Sequence, residues 1–142
     1  ALPLDGVVVE RGDLRLQLEH EAMSKLLRLR HAVMQASGDH KALLELLEVS
    51  ASAMLVLLRA ALRLAGVEPP NDSEAVCDRF TAQSGRDAGV LRRIVRHNRG
   101  VEPLSQRDAA ALVEQYLAFA ESLVGYLDAF SQTHEADGGY PA

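Results

Sequence analysis

Between Asp39 and Ala65 large apolar residues alternate with small ones, and the middle of that stretch, Val49 to Leu58, carries no charge. Leu43, Leu44, Leu47, Met54, Leu55, Leu57, Leu58 and Leu62 interleave with Ala42, Ser50, Ala51, Ala53 and Ala61, so apolar groups fall at nearly every angle around a helix. Such a helix is expected to have protein on all sides. Spanning a membrane takes roughly 18 or more consecutive apolar residues. Here Ser50, Ser52 and the flanking Glu48 and Arg59 interrupt the run. The pattern therefore predicts the buried central helix of a bundle, residues 39–65, about 40 Å long at ~1.5 Å per residue. The other helices must wrap it.

Those helices have their own signatures. Asp13 is placed to cap a first helix from about Leu14 to Ala36, closed by Ser37-Gly38. In it Ala22, Leu26, Leu29 and Val33 form one stripe, and Met23, Leu27 and Met34 an adjoining one, which together predict a broad buried face. Glu21, Lys25, Arg28 and His31 mark the opposite side, with Glu21 and Lys25 as a favourable i,i+4 pair. Gly66 ends the central helix, and Glu68-Pro69-Pro70-Asn71-Asp72 forms a rigid loop. A shorter helix runs from Ser73 to about Gln83 and breaks at Ser84-Gly85. A fourth, about Asp87 to His97, is expected to bury Val90, Leu91, Ile94 and Val95. Ser105, with Asp108 three residues on, opens a last helix that reaches about Gln132. Leu112, Tyr116, Phe119, Leu123, Leu127 and Phe130 line its core face, and Gly125 in its interior suggests close helix packing. The fold class is all-α: about five helices in an antiparallel bundle, residues 13–132, with a flexible tail over 133–142. Residues 1–12 hold only a short β-branched run, Val7 to Val9, which reads as a linker or the remnant of a preceding domain. Because the first residue is Ala1, the chain is expected to be a piece of a longer protein.

Composition sharpens this little except in charge and cysteine. The chain's 142 residues, 48% hydrophobic, suit one domain with a full core. A single cysteine, Cys77, excludes an intrachain disulfide and a cysteine-based metal cluster, and with no basic-then-apolar leader a cytoplasmic setting is expected. A net charge of −5 argues against a general nucleic-acid coat. Its distribution is uneven, for Arg86, Arg92, Arg93, Arg96 and Arg99 crowd fourteen residues (86–99) that contain only one acid, Asp87. Arg92, Arg96 and Arg99 fall at i, i+4 and i+7, so their guanidiniums share a face. This row either pairs with acids of the last helix, such as Glu114, Glu121 and Asp128, or stays open to a phosphate-bearing ligand. Lys25 and Arg28 make a second basic candidate.

Other chemistry is sparse. His20-Glu21 begins like a zinc-protease helix, but Ser24 stands where the second His would be. His20 and His31 lie about 16 Å apart along the helix, too far to share an ion. Cys77 has no local base, and no glycine-rich phosphate loop occurs. The reading calls for no metal and no cofactor.

Two resemblances bear on function. Arg92 and His97 match the Arg-x4-His spacing of the nuclease members of the HEPN superfamily, all-α domains that bind nucleotides or cleave RNA. In that reading His97 does acid–base work on a phosphodiester beside a fixed cation. The competing explanation is a helix C-terminus whose dipole favours Arg96, His97 and Arg99. The stretch Asp13 to Arg30, with the leucine-rich central helix and the Gly66-Val67-Glu68-Pro69-Pro70 turn, resembles the helical C-terminal region of bacterial nucleotidyltransferase-like proteins, over about Asp13 to Phe130. The Gly-Ser turn and Asp-x-Asp of the catalytic half of such proteins do not occur here. What the resemblance implies is therefore a non-catalytic accessory or substrate-binding bundle. Its expected partners are an N-terminal nucleotidyltransferase domain in the parent protein, a nucleotide or other phosphate-bearing ligand at Lys25, Arg28, Arg92, Arg96 and Arg99, and a second copy of itself. A helical protein-interaction module is the third reading.

Overall fold

The computed structural model describes residues 11–138, with side-chain surroundings for 13–130. It holds α1 (Arg11–Gln35), α2 (His40–Leu64), α3 (Ser73–Ser84), α4 (Gly89–Asn98), one 3-10 turn (Gln106–Asp108) and α5 (Ala109–Gly138). The described residues contain no strand, and the fold is all-α. The run Val7 to Val9 lies outside them.

Local chemistry accounts for most boundaries. Asp39 caps α2, its carboxylate accepting the Ala42 N–H at 3.0 Å, and Asp72 caps α3 through the Ala75 N–H at 2.9 Å. At the other end of α2, Gly66 takes φ +83° while the N–H groups of Gly66 and Val67 bond the carbonyls of Arg63 and Leu62. This is the left-handed closure that glycine allows without strain. Asp13 caps nothing. The helix begins at Arg11, which places Asp13 in the first turn, where its charge suits the dipole. Ser105 caps the 3-10 turn rather than α5 itself, accepting the Arg107 N–H at 3.1 Å. α5 continues past Gln132 to Gly138.

α2 packs against each of the other four helices, while α1 packs chiefly on α5. The core gathers Leu26 of α1, Leu47, Met54, Leu58 and Leu62 of α2, Phe80 of α3, Leu91 and Ile94 of α4, and Tyr116, Leu123 and Leu127 of α5, all nearly inaccessible. Its one buried side-chain hydrogen bond between hydroxyls joins Ser50 and Tyr116 at 2.7 Å, which satisfies two polar groups that would otherwise be costly there. Burial pushes the Tyr116 phenol up to about 12.

Three expectations need correction. The adjoining stripe on α1 is not buried: Met23, Leu27 and Met34 are 41%, 54% and 75% exposed, and Leu16 joins them at 54%. Among the described residues α1 has neighbours on one side only, and Leu18, Ala22, Leu26 and Leu29 already meet them. α2 is not covered all round either. Lys41, Glu45, Val49, Ser52, Val56 and Arg63 form an open strip along it. Gly125 packs against nothing, for a Cβ built there would meet no atom within 4 Å.

Candidate functional site

The arginine row is internally paired, and its partners lie on α3. α3 and α4 run past each other with the Ser84–Ala88 break between them, so residues rising along α4 meet residues falling along α3. Arg92 reaches Asp78 (Nε to Oδ1, 3.2 Å, out of hydrogen-bond alignment) and Glu74 (3.3 Å). Arg96 bonds Glu74 and Glu102, both at 3.0 Å. Arg99 bonds Glu74 and Asp72, both at 2.7 Å. Glu74, its side chain 13% exposed, therefore sits at the centre of three guanidiniums. The arrangement also suits both helix dipoles, with acids at the start of α3 and cations at the end of α4.

These contacts set the titration of the acids. A hydrogen bond from Arg99, then one from the Ala75 N–H, holds the Asp72 carboxyl below the usual carboxylate range. The hydrogen bond from Arg96 does the same for Glu74, partly opposed by burial and reinforced by Arg99. Depressed folded-state values mean that the folded chain binds fewer protons than the unfolded one. The stabilisation is thus complete above the ordinary carboxylate values, about 4, and is lost as the pH falls through the lowered ones. Urea melts are expected to show stability dropping steeply below about pH 4. Glu74→Gln should be less stable at neutral pH and lose less on acidification. Parallel acid profiles for the two proteins would show that the network contributes nothing to folding.

His97 is engaged on both sides of its ring. The Leu104 N–H donates to Nδ1 at 2.8 Å, so the neutral ring carries its proton on Nε2, which faces Glu48 Oε2 at 2.7 Å. Asn98 adds a bond to the Glu48 carbonyl at 3.1 Å. His97 thereby ties the end of α4 to α2 and to the loop before Ser105. Arg92 and His97 share a helix, but a separation of five residues turns their side chains about 140° apart. Each belongs to a different network. Arg28 is exposed on α1, and Lys25 beside it is half-buried, its amine lowered first by burial and then by Arg28. α1 and α4 share no substantial contact, so the two basic candidates do not form one site.

Cys77 is buried, and burial with Asp78 nearby pushes its thiol up to about 12, the opposite of an activated nucleophile. Among the described residues no three His, Cys, Asp or Glu side chains are grouped to hold a metal ion, and no helix is long and apolar enough to cross a membrane. A groove of about 390 Å³ between α1 and the end of α2 is lined by Leu14, Gln17, Leu18, Glu21, Ala60, Arg63 and Leu64, none of them a predicted site residue.

The row is paired, as one of its two readings has it, but with α3 and not with the acids of α5. The sequence signal for this is the spacing of Asp72, Glu74 and Asp78, which mirrors Arg99, Arg96 and Arg92 across a short helix break, where antiparallel neighbours are expected. The other missed feature is the line on α1. Leu16, Met23, Leu27 and Met34 recur at i, i+7, i+11 and i+18, which keeps them within about 20° of one line at 100° per residue. Comparison with protein-family models, curated proteins and solved structures found no match.

Proposed function

We propose that this chain is a non-catalytic helical accessory module that works by docking through the outer face of α1, as the bundle it resembles in nucleotidyltransferase-like proteins would. The observation that carries the reading is the exposed line Leu16, Met23, Leu27 and Met34. Four large apolar side chains in register over about 27 Å form a patch of a few hundred Å², on the scale of functional surface patches. Support comes also from the groups that would do chemistry. A phosphate-bearing ligand at Arg92, Arg96 and Arg99 would have to displace carboxylates from all three. An RNA-cleaving role for His97 would require it to give up the Leu104 N–H or Glu48.

The test is made on dilute protein, where any association is negligible. Leu27→Asp is expected to leave the urea midpoint within the range of ordinary surface substitutions, about ±0.5 kcal/mol. A loss of core size would mean that the line is covered within the chain, and the reading would fall.

A further inference from the structure

We propose that the groove between the start of α1 and the end of α2 binds a free α-amino acid with an apolar side chain, its carboxylate held by Arg63 and its ammonium by Glu21. The groove lies on the flank of α1 that meets α2, well round the helix from the exposed line Leu16 to Met34, so its role is separate from the docking given to that line.

The two helices converge on the groove from opposite directions. Leu14 and Leu18 near the start of α1 lie beside Ala60 and Leu64 near the end of α2, while Ala32 and Ala36 near the end of α1 lie beside Ala42 and Leu46 near the start of α2. Helical side chains lean toward the N-terminus of their own helix. Glu21 therefore leans along the groove toward Leu14, and Arg63 leans the other way toward Ala60, which brings a carboxylate and a guanidinium toward each other across its mouth. Gln17 Nε2 meets Glu21 Oε1 at 3.4 Å, a long contact in the same direction. Among the described residues Glu21 has no cationic partner and Arg63 has no acidic one, and the two do not pair with each other.

Between the two charges the wall is apolar. Leu18 and Leu64 are buried along it, Ala60 leaves room by its small side chain, and Leu14 stands exposed at the rim. The groove, about 390 Å³, falls at the small end of the range for small-molecule sites, about 300–1,000 Å³, and has their usual make-up of apolar walls with a few polar groups.

Charge decides the class of ligand. A phosphate or a fatty acid would satisfy Arg63 but set its own negative charge against Glu21, and a simple amine would meet the same difficulty at Arg63. A molecule that carries both charges on one carbon satisfies both residues at once, and the guanidinium can take its carboxylate through two parallel hydrogen bonds. A peptide terminus supplies one of these charges and not the other. The leucines and Ala60 then receive the side chain, which must itself be apolar because no polar group faces it there.

The experiment titrates the full chain with L-leucine to about ten times a Kd on the order of 1 mM, followed by backbone amide NMR. The expected result is saturable shifts confined to the amides around 14–21 and 60–64. Arg63→Gln and Glu21→Gln change exposed side chains and should keep the parental urea midpoint, yet each should weaken binding by about tenfold. The parent should bind N-acetyl-leucine, which lacks the ammonium, and leucinamide, which lacks the carboxylate, about tenfold more weakly than leucine. Glu21→Gln should no longer distinguish leucine from N-acetyl-leucine, nor Arg63→Gln leucine from leucinamide. Equal binding of leucine and N-acetyl-leucine by the parent would overturn the assignment, as would shifts that persist unchanged in Arg63→Gln. A chain whose amides ignore L-leucine and L-phenylalanine alike has no such site, and that result leaves the docking role, read from Leu27→Asp, where it stands.

Discussion

Met54→Asp is expected to unfold the chain, while Val56→Asp, two residues along the same helix, should fold as the parent does. Met54 is 1% exposed at the centre of the core, and Val56 is 63% exposed on the open strip of α2. A carboxylate at position 54 would lose its hydration with no donor or cation placed to replace it. Such a loss costs roughly 4 kcal/mol or more, against a total stability of about 5–15 kcal/mol for a domain of ordinary size. Leu57→Asp, at 6% exposure, should behave like Met54→Asp. At position 56 the same carboxylate stays in water. Circular dichroism melts decide the matter. A cooperative, near-parental transition for Met54→Asp would mean that the middle of α2 is not the core, and loss of the fold in Val56→Asp would mean that the open strip is not open.

Phe80→Ala should cost about 3–5 kcal/mol, the range for truncating a buried aromatic side chain. Phe80 is completely inaccessible and meets Phe119 edge-on, with centroids 6.0 Å apart and ring planes at 86°, and Tyr126 likewise at 5.6 Å and 84°. These are the favoured arrangements of aromatic pairs, and both partners belong to α5. The side chain thus holds α3 against the last helix from inside. Phe80→Leu, which refills most of the volume but loses both edge contacts, should fall clearly short of the alanine value. The urea midpoint with its slope separates the cases, and a loss below about 1 kcal/mol for Phe80→Ala would show that α3 is held by its ion pairs instead.

The elements were legible in the sequence because their ends obey local rules. The closures at Gly66 and Gly85 each involve residues within a few positions of one another, whereas the two expected caps miss by a turn, α1 beginning before Asp13 and Ser105 capping the 3-10 turn that precedes α5. The buried stripe through Ala22, Leu26 and Leu29 was legible for the same reason, since periodicity is a local property. What periodicity lacks is the number of neighbours a helix will find. Met23, Leu27 and Met34 are as apolar as the residues beside them, and only the placement of α2 and α5 decides that they face out. Val49 and Val56 on α2 repeat the lesson. The arginine row shows the intermediate case. Its common face followed from spacing, but its partners depended on how the chain turns between α3 and α4. His97 lies at the far end of this scale, for its ring is fixed by Glu48, forty-nine positions away, and no short-range pattern carries that contact.

The packing of α1 chiefly on α5 has a consequence for synthesis. Between Gln35, where α1 ends, and Ala109, where α5 begins, lie residues 36–108, which number 73. At about 5–20 residues per second, α1 waits roughly 4–15 s for its main partner to leave the ribosome. α3 and α4, separated by a few residues, can pair within that interval, and α2 can meet α1, whereas the part of the α1 core face that α5 covers stays open until α5 arrives. Of the described helices α1 is made first and is fully housed last, so the edge it turns to α5 stays apolar and open until the end of the bundle has emerged.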